Sequence, residues 1–102
     1  MKQIINGKTY NTETATELGH YWNGRSDSDF SHISESLYRT KNGQYFLAGE
    51  GGPMTRYSRP VGDMTGGGEK IIPLSESDAR EWMERHCDAD EYVAAFGEPE
   101  EA

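Results

Sequence analysis

Three histidines, one cysteine and a scatter of carboxylates are the residues of this 102-residue chain that could do chemistry. His20, His32 and His86 are the only histidines, and none is spaced with cysteines or carboxylates in the pattern of a zinc site. His86, Cys87 and Asp88 are consecutive, so on a helix their side chains point about 100° apart and do not converge on one ion. A nucleophilic Cys87 needs a histidine brought to it by the fold, and no local motif signals one. Asp27, Asp29 and Glu35 raise the chemistry of paired carboxylates. In a turn-rich stretch, however, such acids more commonly accept hydrogen bonds from backbone amides. No catalytic residue, metal or cofactor is expected, and an enzyme is the remotest function class.

The glycine-rich stretches Gly49-Glu50-Gly51-Gly52 and Gly66-Gly67-Gly68 invite a phosphate-binding reading. Neither ends in Gly-Lys-Ser/Thr, and neither has the G-x-G-x-x-G spacing between a strand and a helix. Turns and close backbone approach account for them better. Arg56, Tyr57 and Arg59 form the one basic-aromatic cluster, a type that can stack on bases or grip carboxylates, or simply be solvated. The C-terminal half offers carboxylates instead. Glu76–Arg80 and Glu81–Arg85 are favourable i,i+4 pairs, whereas Asp78, Glu84, Asp88, Asp90 and Glu91 are left uncompensated. Read plainly they are a solvated face; read functionally they could meet a cationic groove that normally holds nucleic acid.

The elements that must position these residues are written in turn and cap chemistry. The central hairpin is ESLYRTKNGQYFLAGEGG, with strands Ser36–Thr40 and Gln44–Ala48 around Lys41-Asn42-Gly43, since Asn and Gly tolerate the positive φ of a tight turn. A first hairpin turns at Asn6-Gly7. Asn11 or Thr12 is expected to cap a helix to about Trp22, with Ala15, Leu18, Gly19 and Trp22 on one face. Arg25–Ser34 reads as a loop anchored by Phe30 and Ile33. Gly49–Glu69 reads as a long loop pinned by Met54, Tyr57, Val61 and Met64. Lys70–Leu74 is a strand whose Pro73 marks an edge or an end. Ser75 caps a helix to about His86, with Ala79, Trp82, Met83 and His86 inward. Asp88 caps a last helix, Ala89–Phe96, with Tyr92, Val93 and Phe96 inward, stopped by Gly97. The result is a single α+β domain over residues 1–97: a small, mainly antiparallel sheet on the central hairpin with about three helices. Glu98–Ala102 is a frayed acidic tail.

The totals set the scale of the core and the sign of the surface. Only fourteen residues are Ile, Leu, Val or Phe. Six tyrosines, two tryptophans and four methionines make up for this, because a buried aromatic removes about 150–250 Å² from water. The net charge of −8 is unevenly spread. Residues 1–61 carry seven basic and six acidic side chains, while residues 62–102 carry three basic against twelve acidic, a balance of −9. That asymmetry points to an electrostatic partner and argues against direct nucleic-acid binding by the acidic half. No apolar run approaches the roughly 20 residues of a membrane span. The single cysteine leaves no internal disulfide and fits a reducing cytoplasm.

The blocks INGKTYNTETA, YWNGRSDSDF, ESLYRTKNGQYFLAGEGGPMTRY and EKIIPLSESDAREWM together resemble a family of small proteins from bacterial mobile elements and phages, across residues 3–96. The resemblance implies an anti-CRISPR-like inhibitor in the host bacterial cytoplasm, acting on a protein partner such as a CRISPR effector subunit. The alternative is an accessory interaction module of a mobile element with no defence target. No site residues come with the resemblance. The partner-binding candidates are therefore the acids Asp78, Glu84, Asp88, Asp90 and Glu91 and the cluster Arg56, Tyr57 and Arg59.

Overall fold

In the computed structural model, which describes residues 1–102, two of the three Asn-Gly pairs, Asn6-Gly7 and Asn42-Gly43, each turn a hairpin by different means. Strands β1 (Lys2–Ile5) and β2 (Lys8–Asn11) are joined by Asn6 and Gly7, which both take positive φ, 51° and 76°. This is the two-residue primed turn whose twist matches that of the paired strands. Two longer strands follow at Ile33–Arg39 and Tyr45–Gly51, joined by a wider turn in which only Gly43, at φ 83°, is left-handed. Gly43 N–H donates to Thr40 O and Thr40 N–H to Gln44 O, a type I turn closed by a bulge. Leu37 pairs with Leu47 and Tyr38 with Phe46. The central hairpin thus forms as expected, its open end extended back to Ile33 and on to Gly51.

The helix expected up to Trp22 is not formed. Asn11 does nucleate a turn: its Oδ1 accepts from Glu13 N–H, and Thr14 and Ala15 N–H reach its carbonyl. The chain then straightens into β3 (Thr16–Trp22), which pairs with the Ile33–Arg39 strand, β4. Thr16, Tyr21 and Trp22 favour strand, and Gly19 weakens a helix interior. The spacing from Leu18 to Trp22 suits either element. A bulge at Leu18, between Glu17 and Gly19, turns Leu18 toward the core, against which Leu18 and Tyr21 both pack. Trp22 is exposed rather than inward. The fold therefore has two helices, not three.

The expected 49–69 loop is also more structured. The Tyr45–Gly51 strand, β5, continues through its start, and β6 (Arg59–Val61) and β7 (Met64–Gly66) form a small hairpin within it. Strand β8 (Gly68–Leu74) closes the main sheet in the order β3-β4-β5-β8. Pro73 lies on this outer strand, consistent with an edge. Of the expected anchors, Tyr57 is buried, whereas Phe30, Met54, Val61 and Met64 are exposed. Val61 and Met64 face only each other across the short β6–β7 hairpin, too little apolar surface to bury either.

Helix α1 (Glu76–His86) starts at Ser75, whose hydroxyl accepts from Asp78 N–H. Helix α2 (Ala89–Phe96) starts at Asp88 in a reciprocal capping box with Glu91 and ends at Gly97. The helices cover one face of the sheet, where Leu37, Tyr45, Leu47, Ala79, Trp82, Met83 and Ala95 form the larger core. Ala95 lies deepest in α2; Tyr92, Val93 and Phe96 are half-buried. The β1–β2 hairpin covers the other face through Tyr10, Phe46 and Ile71, with Tyr38 stacked on Phe46 at 5.2 Å. No helix is long and apolar enough to cross a membrane.

Because Trp82 anchors α1 to the sheet, Trp82→Ala is expected to destabilise by about 3–5 kcal/mol. Removal of the exposed tail, residues 98–102, should change stability little. Thermal melts check both, and a Trp82→Ala melt within a few degrees of wild type contradicts the inward placement.

Candidate protein-interaction surface

Glu35, in the middle of β4, is the one buried acid. Its Oε2 accepts from Tyr57 O–H at 2.7 Å and its Oε1 from Trp82 Nε1–H at 2.8 Å. No ion pair includes it. Gly49 clears the path, since a β-carbon there would lie 2.6 Å from Tyr57 Cζ and 2.7 Å from Glu35 Cβ. Burial, followed by the bond to Glu35, raises the Tyr57 hydroxyl pKa well above its ordinary range. Glu35 is therefore separate from Asp29 and Asp27. Asp29 lies in the loop, where Ser31 N–H and then Arg25 hold its carboxyl below the usual carboxylate range; Asp27 is exposed.

The same bond divides the Arg56, Tyr57, Arg59 cluster. Tyr57 is 1% exposed and points inward, so it offers no stacking face to a ligand. Arg56 points the other way and lines a hollow with Asp78, Glu81 and Arg85. Arg59 Nε–H donates to Gly67 O across the β6–β7 hairpin, and its side chain borders a polar cleft of about 500 Å³ with His32, Glu50 and Glu69. The glycines there serve close packing: a β-carbon at Gly67 would lie 2.6 Å from Gly51 O.

The histidines are dispersed. His20 Nδ1 meets Ser36 Oγ, His32 Nδ1 meets Asp29 O, and His86 stacks on Tyr21 at 3.9 Å. No three His, Cys, Asp or Glu side chains converge in a way that could hold a metal ion. Burial, with Glu91 and Asp88 adding to it, raises the Cys87 thiol pKa, which keeps it protonated and weakly nucleophilic.

All five candidate acids, Asp78, Glu84, Asp88, Asp90 and Glu91, are exposed. None belongs to an ion pair; the helical pairs formed are Glu76–Arg80 at 3.1 Å and Glu81–Arg85 at 3.0 Å. The five do not make one patch. Asp78 and Glu84 are six residues apart on α1, about 120° around its axis, which leaves Asp78 beside Arg56. Glu84 and Asp88 instead border a groove between α1 and α2. Asp88 and Glu91 also bond each other's backbone at the start of α2. Sequence reasoning missed a sixth acid: Glu98, assigned to the frayed tail, lines the same groove. Its only signal was Pro99, which stiffens the chain just beyond the Gly97 cap.

Two measurements test this geometry. Tyr57→Phe leaves buried Glu35 short of a donor and should destabilise by roughly 1–3 kcal/mol, whereas replacing Glu35 and Tyr57 together by Met and Phe should cost much less than the sum of the single changes. Denaturant titrations of the double-mutant cycle check this; simple additivity contradicts the coupling. The second concerns His86, whose pKa is lowered mainly by burial, against the pull of Glu35 and with Arg85 and Arg56 adding to it. The unfolded chain then binds that proton more readily. Stability should be full above about pH 6.5 and decline as pH falls below it. Melts in that range should show a shallower decline in His86→Phe, which keeps the stack on Tyr21. An unchanged slope contradicts the assignment.

Compared with protein-family models, curated proteins and solved structures, the chain matches none of them.

Proposed function

We propose that this protein is a non-catalytic, anti-CRISPR-like inhibitor that meets a cationic, nucleic-acid-binding surface of a bacterial CRISPR effector with the carboxylates spread over its two helices. The observation that carries the reading is the set of five exposed carboxylates on consecutive helices, Asp78, Glu84, Asp88, Asp90 and Glu91, none of which takes part in an ion pair. Carboxylates held where a partner expects phosphates speed encounter and fix orientation, with an effect that fades as salt screens it. Turnover is not required. The resemblance to proteins of phages and mobile elements supplies the setting, a host bacterial cytoplasm with an immune complex to block.

The experiment is phage infection of CRISPR-immune hosts expressing wild type or a variant with all five acids changed to Asn or Gln. Asn at position 88 remains a good cap and Gln at position 91 completes a capping box, so the fold is retained; circular dichroism checks this. Wild type should protect the phage and the neutralised variant should not. Full activity of the variant rejects the acidic face and moves attention to Arg56 and Arg59. Inactive wild type against every CRISPR type tested favours the accessory module of a mobile element.

A further inference from the structure

The groove between α1 and α2, about 490 Å³, has an apolar lining from Met83, Cys87, Tyr92, Val93 and Pro99. Glu84, Asp88 and Glu98 stand along it, and all three are exposed. No cation pairs with any of them. Their positions are costly to the fold. Glu84 lies in the last turn of α1 and Glu98 directly follows the Gly97 cap of α2. A negative charge at a helix C-terminus opposes the macrodipole, by about 0.3–1 kcal/mol in exposed settings. The remaining surface acids of α1 and α2 include Glu76, Asp78, Asp90 and Glu91, which lie in first turns where negative charge is favoured. Glu84 within α1 and Glu98 just beyond α2 therefore stand at the unfavourable ends of the two helices, and they do so beside an apolar groove. Placement against stability beside a cleft is characteristic of residues retained for binding.

We infer that this groove binds a short segment of a partner protein that presents an apolar side chain flanked by lysine or arginine. The inference rests on reading the acidic helices as a partner-binding face and specifies the chemistry recognised there. The apolar side chain enters between Cys87 and Val93, which are half-buried, above the fully buried Met83. The flanking cations reach Glu84 and Asp88 on one side and Glu98 on the other. An acidic segment is repelled by the same three groups, and nucleic acid is repelled by its phosphates. A purely cationic segment leaves the apolar lining uncovered and gains only screened charge attraction. Recognition thus needs both features in one peptide, in the manner of an amphipathic helix in a groove.

The test uses three fluorescent peptides: an amphipathic Leu/Lys peptide, a Ser/Lys peptide of equal charge, and a Leu/Glu peptide. Binding is read by anisotropy at physiological salt and mapped by backbone amide shifts on the intact chain. The Leu/Lys peptide should bind at least about tenfold more tightly than either other peptide, with shifts concentrated at Cys87, Ala89, Val93 and Glu98. Val93→Arg should weaken it by about tenfold or more. Ala89→Arg, at an exposed position, should weaken it in the same direction and serves if Val93→Arg does not fold. Glu84→Gln with Glu98→Gln should weaken binding and flatten its salt dependence while raising the melting temperature. Equal binding of the Leu/Lys and Ser/Lys peptides overturns the inference, as do shifts away from α1 and α2 or indifference to the arginine variants. These failures are separable from that of the acidic-face reading, because the infection experiment with the five-fold neutralised variant can succeed without any occupant in the groove.

Discussion

The position of α1 and of the glycine-rich segment on the sheet is set by one buried carboxyl group. Glu35 has no cationic partner; two neutral donors hold it, Tyr57 O–H from the 52–58 turn and Trp82 Nε1–H from α1. Taking a carboxyl out of water without a partner costs several kcal/mol, so each donor matters more than an ordinary hydrogen bond. The consequence is geometric. The turn after β5 has few apolar contacts of its own, with Met54 at 72% exposure, yet Tyr57 is fixed because Glu35 needs it. Likewise α1 is fixed in rotation, because turning Trp82 away strands the other oxygen. A contact of this kind specifies one arrangement among the many that a lean core would permit.

The lean core also explains why both faces of the sheet are covered. The helices bring Trp82, Met83 and Ala95 to one face, and the β1–β2 hairpin brings Tyr10 to the other. Aromatic rings supply the area that few aliphatics cannot. Tyr10 meets Phe46 edge-on at 5.5 Å, and Tyr45 and Tyr92 both meet Phe96. The β8 edge is blunted, since Pro73 has no amide to offer and Ile71 N–H is taken by the Gln3 side chain. An edge with fewer free donors pairs less readily with other chains. Arg80 joins the two helices, bonding Glu76 and Tyr92 and lying 4.7 Å over the Phe96 ring.

What the sequence discloses is what short-range chemistry encodes. The Asn6-Gly7 and Asn42-Gly43 turns, the Ser75 and Asp88 caps and the Glu76–Arg80 and Glu81–Arg85 pairs all act within a few residues, and each is legible. Thr16–Trp22 is not, because Leu18 and Trp22 fit a helix face and a strand equally. The choice is made by pairing with β4, which no local pattern reports. Glu35 is illegible for the same reason: its partners lie 22 and 47 residues away. The basic-aromatic cluster looked coherent because Arg56, Tyr57 and Arg59 are close in sequence. The turn that carries them buries Tyr57 against Glu35 and leaves Arg56 and Arg59 exposed.

The acidity of the C-terminal half then divides into two kinds of charge with different physical consequences. Glu76, Asp78, Asp90 and Glu91 lie in first turns, where they complement helix dipoles, and Asp88 caps α2 through its own side chain. Helix dipoles and capping give these acids a stabilising role, to which any contact with a partner is added. Glu84 and Glu98 gain nothing from the helices beside them and lack a cation. A chain that keeps a modest core has little reason to keep charges that lower its stability unless another interaction uses them. The distinction matters for how a partner would be recognised. Charges that are already bound to backbone amides stay in place and give a rigid pattern, whereas Glu84 and Glu98 remain free to reorient around an incoming cation. A fixed array beside a pair of mobile carboxylates, with apolar surface between them, favours a partner whose positive charges flank an apolar residue over one that is merely positive.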